Sequence, residues 1–418
     1  MSLSMMTIDD FNCKGKTTLV RIDINSPIDS ITKKIVNAER IYESIPTIND
    51  LSNKGAKVVI IAHQGSTLEY ENLIPLNEHA KIISKKCGKT VQFIDDVAGP
   101  AAREKISKLK DGEILLLDNI RYYTEEDPIF ENDVKLTPEK MTQTYLVRNL
   151  APLMEFYVND AFATGHRNSP SMVAFQELLP SAGGRLLIDE IKALTKIMDN
   201  PARPCLFVIG GLKVSDAFGI MKQVLSQGIA DLVLTAGVTG LIMLMAQGIE
   251  LGEKTTKFFK DRSLDKFVPN AKEYLALYPH KFYLPLDIAI DDNNQRKELS
   301  IKNLPTNGFI IDIGEETIKI YEKLLNNAGT IFANGPAGVF EKEIGSKGTK
   351  CIWTTIANAP GFTVIGGGDT ISAAQNFIDR KKIDFISTAG GALIRYLGGQ
   401  KMPVLEALEK SAQKYLQD

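Results

Sequence analysis

The sequence predicts an α/β protein of two doubly wound parallel-sheet lobes joined by a long helix and hinge. Short apolar runs without polar alternation recur along the chain, as strands buried on both faces of a parallel sheet require. Segments of helical periodicity separate most of them, and such alternation builds sheets covered by helices. A length of 418 residues exceeds what one hydrophobic core commonly serves, which predicts more than one domain.

In the first half the runs are Thr18–Ile24, Lys57–Ala62, Val91–Ile94, Ile114–Leu117 and Phe156–Val158. In the second they are Cys205–Ile209, Leu232–Leu234, Phe282–Leu284, Thr330–Ala333, Thr363–Ile365 and Asp384–Ile386. Ile41 to Lys54 is helical in pattern and ends at Gly55, with Pro46 predicting a delayed start. Between the halves, Leu187, Ile191, Leu194 and Met198 share one face of a helix spanning Arg185 to Met198. Gly183-Gly184 before it and Asn200-Pro201-Ala202-Arg203-Pro204 after it are breakers. The predicted division is residues 1–184, a connecting helix at 185–200, and residues 201–403.

Leu232 to Ile249 is uncharged and approaches a membrane span in length. Gly237, Gly240 and Gly248 interrupt it, and Asp231 and Glu250 bound it, so a buried strand, a glycine turn and a buried helix are expected. A net charge of −2 with interspersed signs leaves no basic face for nucleic acid. Cys13, Cys87, Cys205 and Cys351 stand far apart, which predicts reduced thiols rather than a zinc site. With no charged-then-apolar leader at the start, a cytoplasmic location is expected.

Two glycine-rich segments follow strands in the second half: Asn334-Gly335-Pro336-Ala337-Gly338-Val339-Phe340-Glu341 and Gly366-Gly367-Gly368-Asp369-Thr370. Each is predicted to turn from strand into helix, presenting backbone N–H groups at the positive end of a helix dipole, where phosphate binds. Asp369 is placed to hold Mg²⁺ bridging phosphate oxygens. The strand ends of the first half carry different chemistry. Asp23 and Asn25, His63, Arg121, Asn159-Asp160 and His166-Arg167 follow successive strands, and Arg40 lies between. In a doubly wound sheet these ends share one rim. One polar strand end is ordinary, but three arginines with a histidine on one rim suit a small, multiply anionic molecule.

These residues in this order resemble phosphoglycerate kinase. The resemblance runs through Leu19-Val20-Arg21-Ile22-Asp23-Ile24-Asn25, Leu117-Asp118-Asn119-Ile120-Arg121-Tyr122 and Tyr157-Val158-Asn159-Asp160-Ala161-Phe162. It continues in Gly210-Gly211-Leu212-Lys213-Val214-Ser215-Asp216, the two glycine segments, and Ser387-Thr388-Ala389-Gly390-Gly391. His63-Gln64 and the compact length look like the archaeal-type branch. The resemblance implies two Rossmann-like lobes and reversible phosphoryl transfer between MgATP and 3-phosphoglycerate, in a monomer or homodimer. By carry-over, Asp23, Asn25, Arg40, His63, Arg121 and Arg167 bind phosphoglycerate, with His166 beside them. Gly210, Gly211, Lys213, Gly237, Asn334, Pro336, Glu341, Gly366, Gly367, Gly368, Asp369 and Thr370 belong to the nucleotide side, Glu341 towards the ribose and Asp369 towards the metal. Arg40, Lys213, Gly367 and Gly368 are the residues expected to act on the transferring group. The segment after Pro403 is expected to fold back onto the first lobe. The hinge is expected in the connecting helix and the Ser387–Gly391 turn, closing the lobes on their substrates.

An acyl phosphate forms when a carboxylate attacks the γ-phosphorus, and that nucleophile is already ionised near neutral pH. The chemistry therefore asks for alignment and charge neutralisation rather than a general base. Two positions depart from the family pattern: Ser66, where an arginine is usual, and Ala217, where many members carry a second lysine. Both predict weaker ligand contacts with the transfer machinery intact. The alternative reading is a non-catalytic nucleotide- or phosphoglycerate-binding homologue. A NAD-dependent oxidoreductase and a P-loop kinase are disfavoured, because neither G-x-G-x-x-G spacing nor G-x-x-x-x-G-K-[ST] occurs.

Overall fold

The structure, a computed structural model, describes residues 4–65 and 72–416. Ser66 lies outside the described residues. The chain divides into two compact units, residues 1–191 with 401–418, and residues 192–400.

The first unit holds a seven-stranded sheet. Its strands are β1 (Met6–Thr7), β2 (Thr17–Ile22), β3 (Lys57–Ile61), β4 (Val91–Phe93), β5 (Ile114–Leu116), β6 (Phe156–Asp160) and β7 (Ser181–Gly183). All are parallel, in the order β1-β7-β6-β2-β3-β5-β4. Val20 pairs with both Ile60 and Val158, and Ile60 with Leu116, so the carboxyl ends of β6, β2, β3 and β5 stand side by side. The apolar runs condense here: Val20, Ile22, Val58, Ile60, Leu116 and Val158 pack with Ile48 and Leu51 of a covering helix. The C-terminal helix Pro403–Tyr415 belongs to this unit, where Ser411 Oγ accepts the Ser181 N–H at 3.1 Å.

The helix expected from Ile41 is two helices, Glu39–Glu43 and Ile45–Asn53, meeting at Ser44. Pro46 occupies the first turn of the second, where its missing N–H costs nothing; it restarts the helix rather than delaying it. Arg185–Met198 is one helix, with Leu187, Ile191 and Leu194 buried. Its first turn is anchored in the first unit. The Leu187 N–H donates to Asp160 Oδ1 at 3.0 Å, and the Arg185 guanidinium pairs with Asp9 and Asp50.

The second unit contains a parallel sheet of β8 (Cys205–Ile209), β9 (Leu232–Thr235), β10 (Phe282–Tyr283), β14 (Thr330–Asn334), β15 (Phe362–Gly366) and β16 (Phe385–Ser387), ordered β10-β9-β8-β14-β15-β16. Leu206, Val208, Leu234, Ile331, Ala333 and Ile365 build its core with Tyr321 and Trp353. Leu232–Ile249 resolves into β9, a turn at Gly237 and the helix Gly237–Ala246, and no described helix is long and apolar enough to cross a membrane.

An antiparallel sheet interrupts the alternation: β11 (Asp287–Asp292), β12 (Gln295–Ser300) and β13 (Phe309–Ile313), ordered β12-β11-β13. Its hairpin turns at Asn293 and Asn294, both with positive φ, a conformation asparagine tolerates well. Sequence periodicity did not reveal β12, because Gln295–Ser300 is almost wholly polar and half of it exposed. β11 and β13 do carry mostly buried apolar runs, Ile288-Ala289-Ile290 and Phe309-Ile310-Ile311, which the sequence reading did not pick out. The two- and three-residue strands β1 and β7 were also missed, being too short to show a pattern.

Candidate active site

On the first unit, the paired carboxyl ends of β6, β2, β3 and β5 bring the expected residues to one rim. Asp23, directly after β2, accepts Arg40 Nη1 at 2.9 Å, so a nearly buried carboxylate aims a half-exposed guanidinium. Asn25 turns its Oδ1 to the Gly65 N–H at 2.9 Å, which fixes the loop after His63. Arg167, beside His166 on the loop after β6, donates Nε to Glu131 Oε2 at 2.5 Å. Arg121, after β5, is largely buried, and its pKa falls to about 10 through burial and the Arg167 charge. At that value it remains a cation near neutral pH.

His63 is 4% exposed, and its Nδ1 lies 3.0 Å from Arg21 Nη2. Burial, then the charges of Arg21, Arg121, Arg40 and Arg167, push its pKa well below the usual value, so the ring is neutral. Arg21 is a buried cation at this rim that sequence reasoning did not single out. Its signal was a charged residue in the apolar run Leu19-Val20-Arg21-Ile22. Asn159 and Asp160 lie inside β6, fully buried. Asn159 donates to Tyr157 Oη and accepts the Ala161 N–H, while Asp160 caps the connecting helix, so both serve the framework.

On the second unit, an apolar cleft of about 430 Å³ opens between the Gly237–Ala246 helix, the antiparallel sheet and the Pro336–Glu341 loop. Leu241, Phe258, Pro285, Ile288, Phe309 and Val339 supply its walls, and Gly211, Gly237, Pro336, Glu341 and Asp369 of the expected set line it. Phe309 and Ile288 come from the sheet that the sequence reading missed, which is why these wall residues were not anticipated.

The two glycine segments do different work. Gly366-Gly367-Gly368 does lead from β15 directly into the helix Gly368–Phe377. The first-turn N–H groups of a helix have no intrahelical acceptor, so this end can receive an anion. A Cβ at Gly368 would meet nothing within 4 Å, so open space stands over it. Asn334–Glu341, by contrast, is not a strand-to-helix turn, because the next α-helix begins only at Lys347. Its amides are already spent: Gly335 N donates to Thr370 Oγ1, Ala337 and Gly338 N to Thr349 Oγ1, and Val339 N to Ile311 O. This loop is a wall rather than a phosphate cradle.

Gly210 and Gly211 are likewise stitched to that loop, donating to Asn334 O at 2.8 Å and Pro336 O at 2.9 Å, and Gly237 donates to Ala337 O at 3.0 Å. Gly335, with φ +85°, admits no side chain, since a Cβ would stand 2.4 Å from the Gly210 carbonyl carbon. Asn334 spends Nδ2 on Gly366 O at 2.7 Å, tying β14 to β15. Asn334, Thr370 and Gly210 therefore shape the site without lining the cleft.

Lys213, at the head of the Val214–Ser226 helix, extends its ammonium to 3.6 Å from Asp369 Oδ2, both side chains well exposed. Ala217 on that helix is fully buried, so its methyl packs inward and offers nothing to a ligand. Among the described residues no group of three or more His, Cys, Asp or Glu gathers to hold an ion alone. Asp369 is one exposed carboxylate beside an anion-receptive helix end, which fits Mg²⁺ carried in by phosphates, since that ion keeps waters and needs only one or two protein carboxylates.

Comparison with known proteins shows the family and the fold. The sequence model of the family described as phosphoglycerate kinase matches residues 8–400. A phosphoglycerate kinase of Methanobacterium bryantii is 44% identical over 99% of each chain, and that of Methanothermobacter thermautotrophicus 41% over 98% of each. The crystal structure of phosphoglycerate kinase from Pyrococcus horikoshii OT3 superposes with a TM-score of 0.87 at 38% identity, covering 98% of this chain and 100% of that one. The Coxiella burnetii structure gives 0.82 at 29%, with the same coverage.

Proposed function

The chain belongs to the phosphoglycerate kinase family, and we infer that its residues carry out that family's reaction: reversible transfer of the ATP γ-phosphate to the carboxylate of 3-phosphoglycerate, giving 1,3-bisphosphoglycerate and ADP. The observation that carries the site assignment is the Lys213–Asp369 pair at the open N-terminus of the Gly368–Phe377 helix, beside an apolar cleft.

We assign the adenosine to that cleft, with Glu341 reaching the ribose. The phosphates extend towards Gly367 and Gly368, whose N–H groups donate to them. Asp369 would hold the Mg²⁺ that accompanies the nucleotide. When bound, the ion supplies positive charge to the phosphate oxygens. Lys213 neutralises charge developing on the transferring group, the kind of electrostatic help worth about a hundredfold or more in rate.

On the first unit, 3-phosphoglycerate lies among Arg121, Arg167, His63 and Arg40. Asp23 holds Arg40 in direction, and Asn25 holds the Gly65 loop. The arginine forks match a phosphate and a carboxylate, and the ionised carboxylate is itself the nucleophile. Donor and acceptor are assigned to different units, so we propose that a hinge closure brings them in line and excludes water. Unchanged small-angle scattering dimensions in the ternary complex would sink that closure. Soluble substrates and four cysteines free of disulfides support a cytoplasmic location.

The test is ADP formation from MgATP with and without 3-phosphoglycerate, coupled to removal of the acyl phosphate. Turnover only with the acceptor supports the assignment. Absence of turnover at saturating acceptor, with folded protein, would move the reading to a binding protein.

A further inference from the structure

Arg21 enters the interior of the first unit on β2 at 2% exposure, an unusual place for a guanidinium. Each of its three nitrogens has a partner. Nε donates to Ser171 Oγ at 3.2 Å, Nη1 to the Ile22 carbonyl, and Nη2 meets His63 Nδ1 at 3.0 Å. Ser171 in turn gives its hydroxyl and its N–H to Glu126, both at 2.6 Å, and Glu126 is itself buried. A guanidinium carries five N–H donors and no acceptor. Its hydrogen bond to His63 can therefore run only one way, with Nδ1 as the acceptor.

We propose that Arg21 is a positioning residue for the acceptor site: it fixes His63 as the neutral Nε2–H tautomer, so that His63 meets the anionic substrate as an uncharged, pre-aimed donor. This rests on the reading of the arginine rim as the phosphoglycerate site. A histidine left to itself changes charge near pH 6.5 and exchanges its proton between two nitrogens. Here the groups facing it are Arg21 from β2, Arg40 from the Glu39–Glu43 helix, Arg121 after β5 and Arg167 after β6. Three of the four have carboxylate partners, Arg40 in Asp23, Arg167 in Glu131, and Arg21 through Ser171 in Glu126. A fifth cation among these arginines is disfavoured, and charge neutralisation is already supplied. What remains for His63 is direction, and a single protonated nitrogen gives direction.

Two measurements test this. Nitrogen-15 spectra of the full-length protein, with the His63 signal identified by its loss in His63→Gln, read the tautomer without any assay of activity. Among His63, His79, His166 and His280, His63 should show one Nε2–H form that does not titrate between pH 5.5 and 8. An Nδ1–H form, or an imidazolium appearing in that range, overturns the proposal even if the kinase reaction is confirmed. The second measurement compares Arg21→Gln with wild type. KM for 3-phosphoglycerate should rise about tenfold at pH 8, the value of one lost aimed hydrogen bond, with kcat nearly unchanged. Without the guanidinium, His63 Nδ1 loses the donor that fixes it as an acceptor and the ring can carry its proton on either nitrogen, so the nitrogen-15 spectrum of Arg21→Gln should add an Nδ1–H form. A variant spectrum that keeps the single Nε2–H form would reduce Arg21 to a structural role. If Arg21→Gln does not fold, the wild-type spectrum alone decides.

Discussion

The Lys213 ammonium lies 3.6 Å from an Asp369 carboxylate oxygen, joining the heads of two helices that follow different strands of one sheet. Both side chains are more than half exposed, so solvent screens the pair and little stability resides in it. Lys213→Ala should therefore lower kcat by about a hundredfold while shifting stability by less than about 0.5 kcal/mol. Steady-state kinetics beside a thermal melt distinguishes this from a structural lysine, which would lower the melting temperature and spare kcat.

Two glycines of the nucleotide side should answer an added methyl oppositely. Gly335→Ala combines a left-handed backbone with a Cβ 2.4 Å from Gly210, and should destabilise by about 2 kcal/mol or more. Gly368→Ala meets no atom within 4 Å and sits in a helix, so folding should hold or improve slightly. Its methyl would nevertheless intrude where the phosphates are assigned, raising KM for MgATP. Denaturant melts of both variants, with kinetics on Gly368→Ala, check the pair; an unimpaired Gly368→Ala would exclude phosphate from that end.

Besides the Val339–Ile311 backbone bond, the antiparallel sheet holds residues 336–348 through Arg296. Arg296 on β12 donates to Asp312 Oδ2 at 2.8 Å, Ile313 O at 2.7 Å and Ile344 O at 3.1 Å, while Asp312 also accepts the Gly348 N–H. Arg296→Ala leaves the fully buried Asp312 side chain without its cation and should cost about 3 kcal/mol. Hydrogen exchange should rise across residues 336–348, and KM for ATP with it. Protection unchanged in that loop would show that Arg296 does not hold it.

Asp160 predicts a pH dependence of stability. Burial, opposed by the Leu187 and Leu186 amides and the Thr47 hydroxyl, raises its pKa to about 7. The folded state therefore binds a proton that the unfolded state releases above about pH 4. Its contribution is complete below that value and is lost as pH rises to 7. Asp160→Asn keeps an acceptor for Leu187 N without the ionisation. Relative to wild type it should be more stable at pH 8, by about 4 kcal/mol, with the difference vanishing towards pH 4. Melting temperatures at pH 4.5 and 8 decide it; a gap that does not change with pH would show that Asp160 does not titrate in this range.

The parallel strands were legible because burial on both faces leaves an unbroken apolar run, as in Val58-Val59-Ile60-Ile61, and the connecting helix because its apolar face repeats at helical spacing. β12 was not, since a polar, half-exposed strand writes no period into the chain, whereas β11 and β13 carry apolar runs that were readable and were passed over. The residue types of the site were likewise readable, because a cation or carboxylate after an apolar strand is informative before its neighbours are known. Only the tertiary structure decided how each group is spent. It consumed the Asn334–Glu341 amides in holding Thr370, Thr349 and Ile311 together, left space over Gly368, and set Arg21 against His63 Nδ1. Hydrogen-bond partnership is a property of distance between segments remote in sequence, and a pattern along one chain carries composition and period but no such distances.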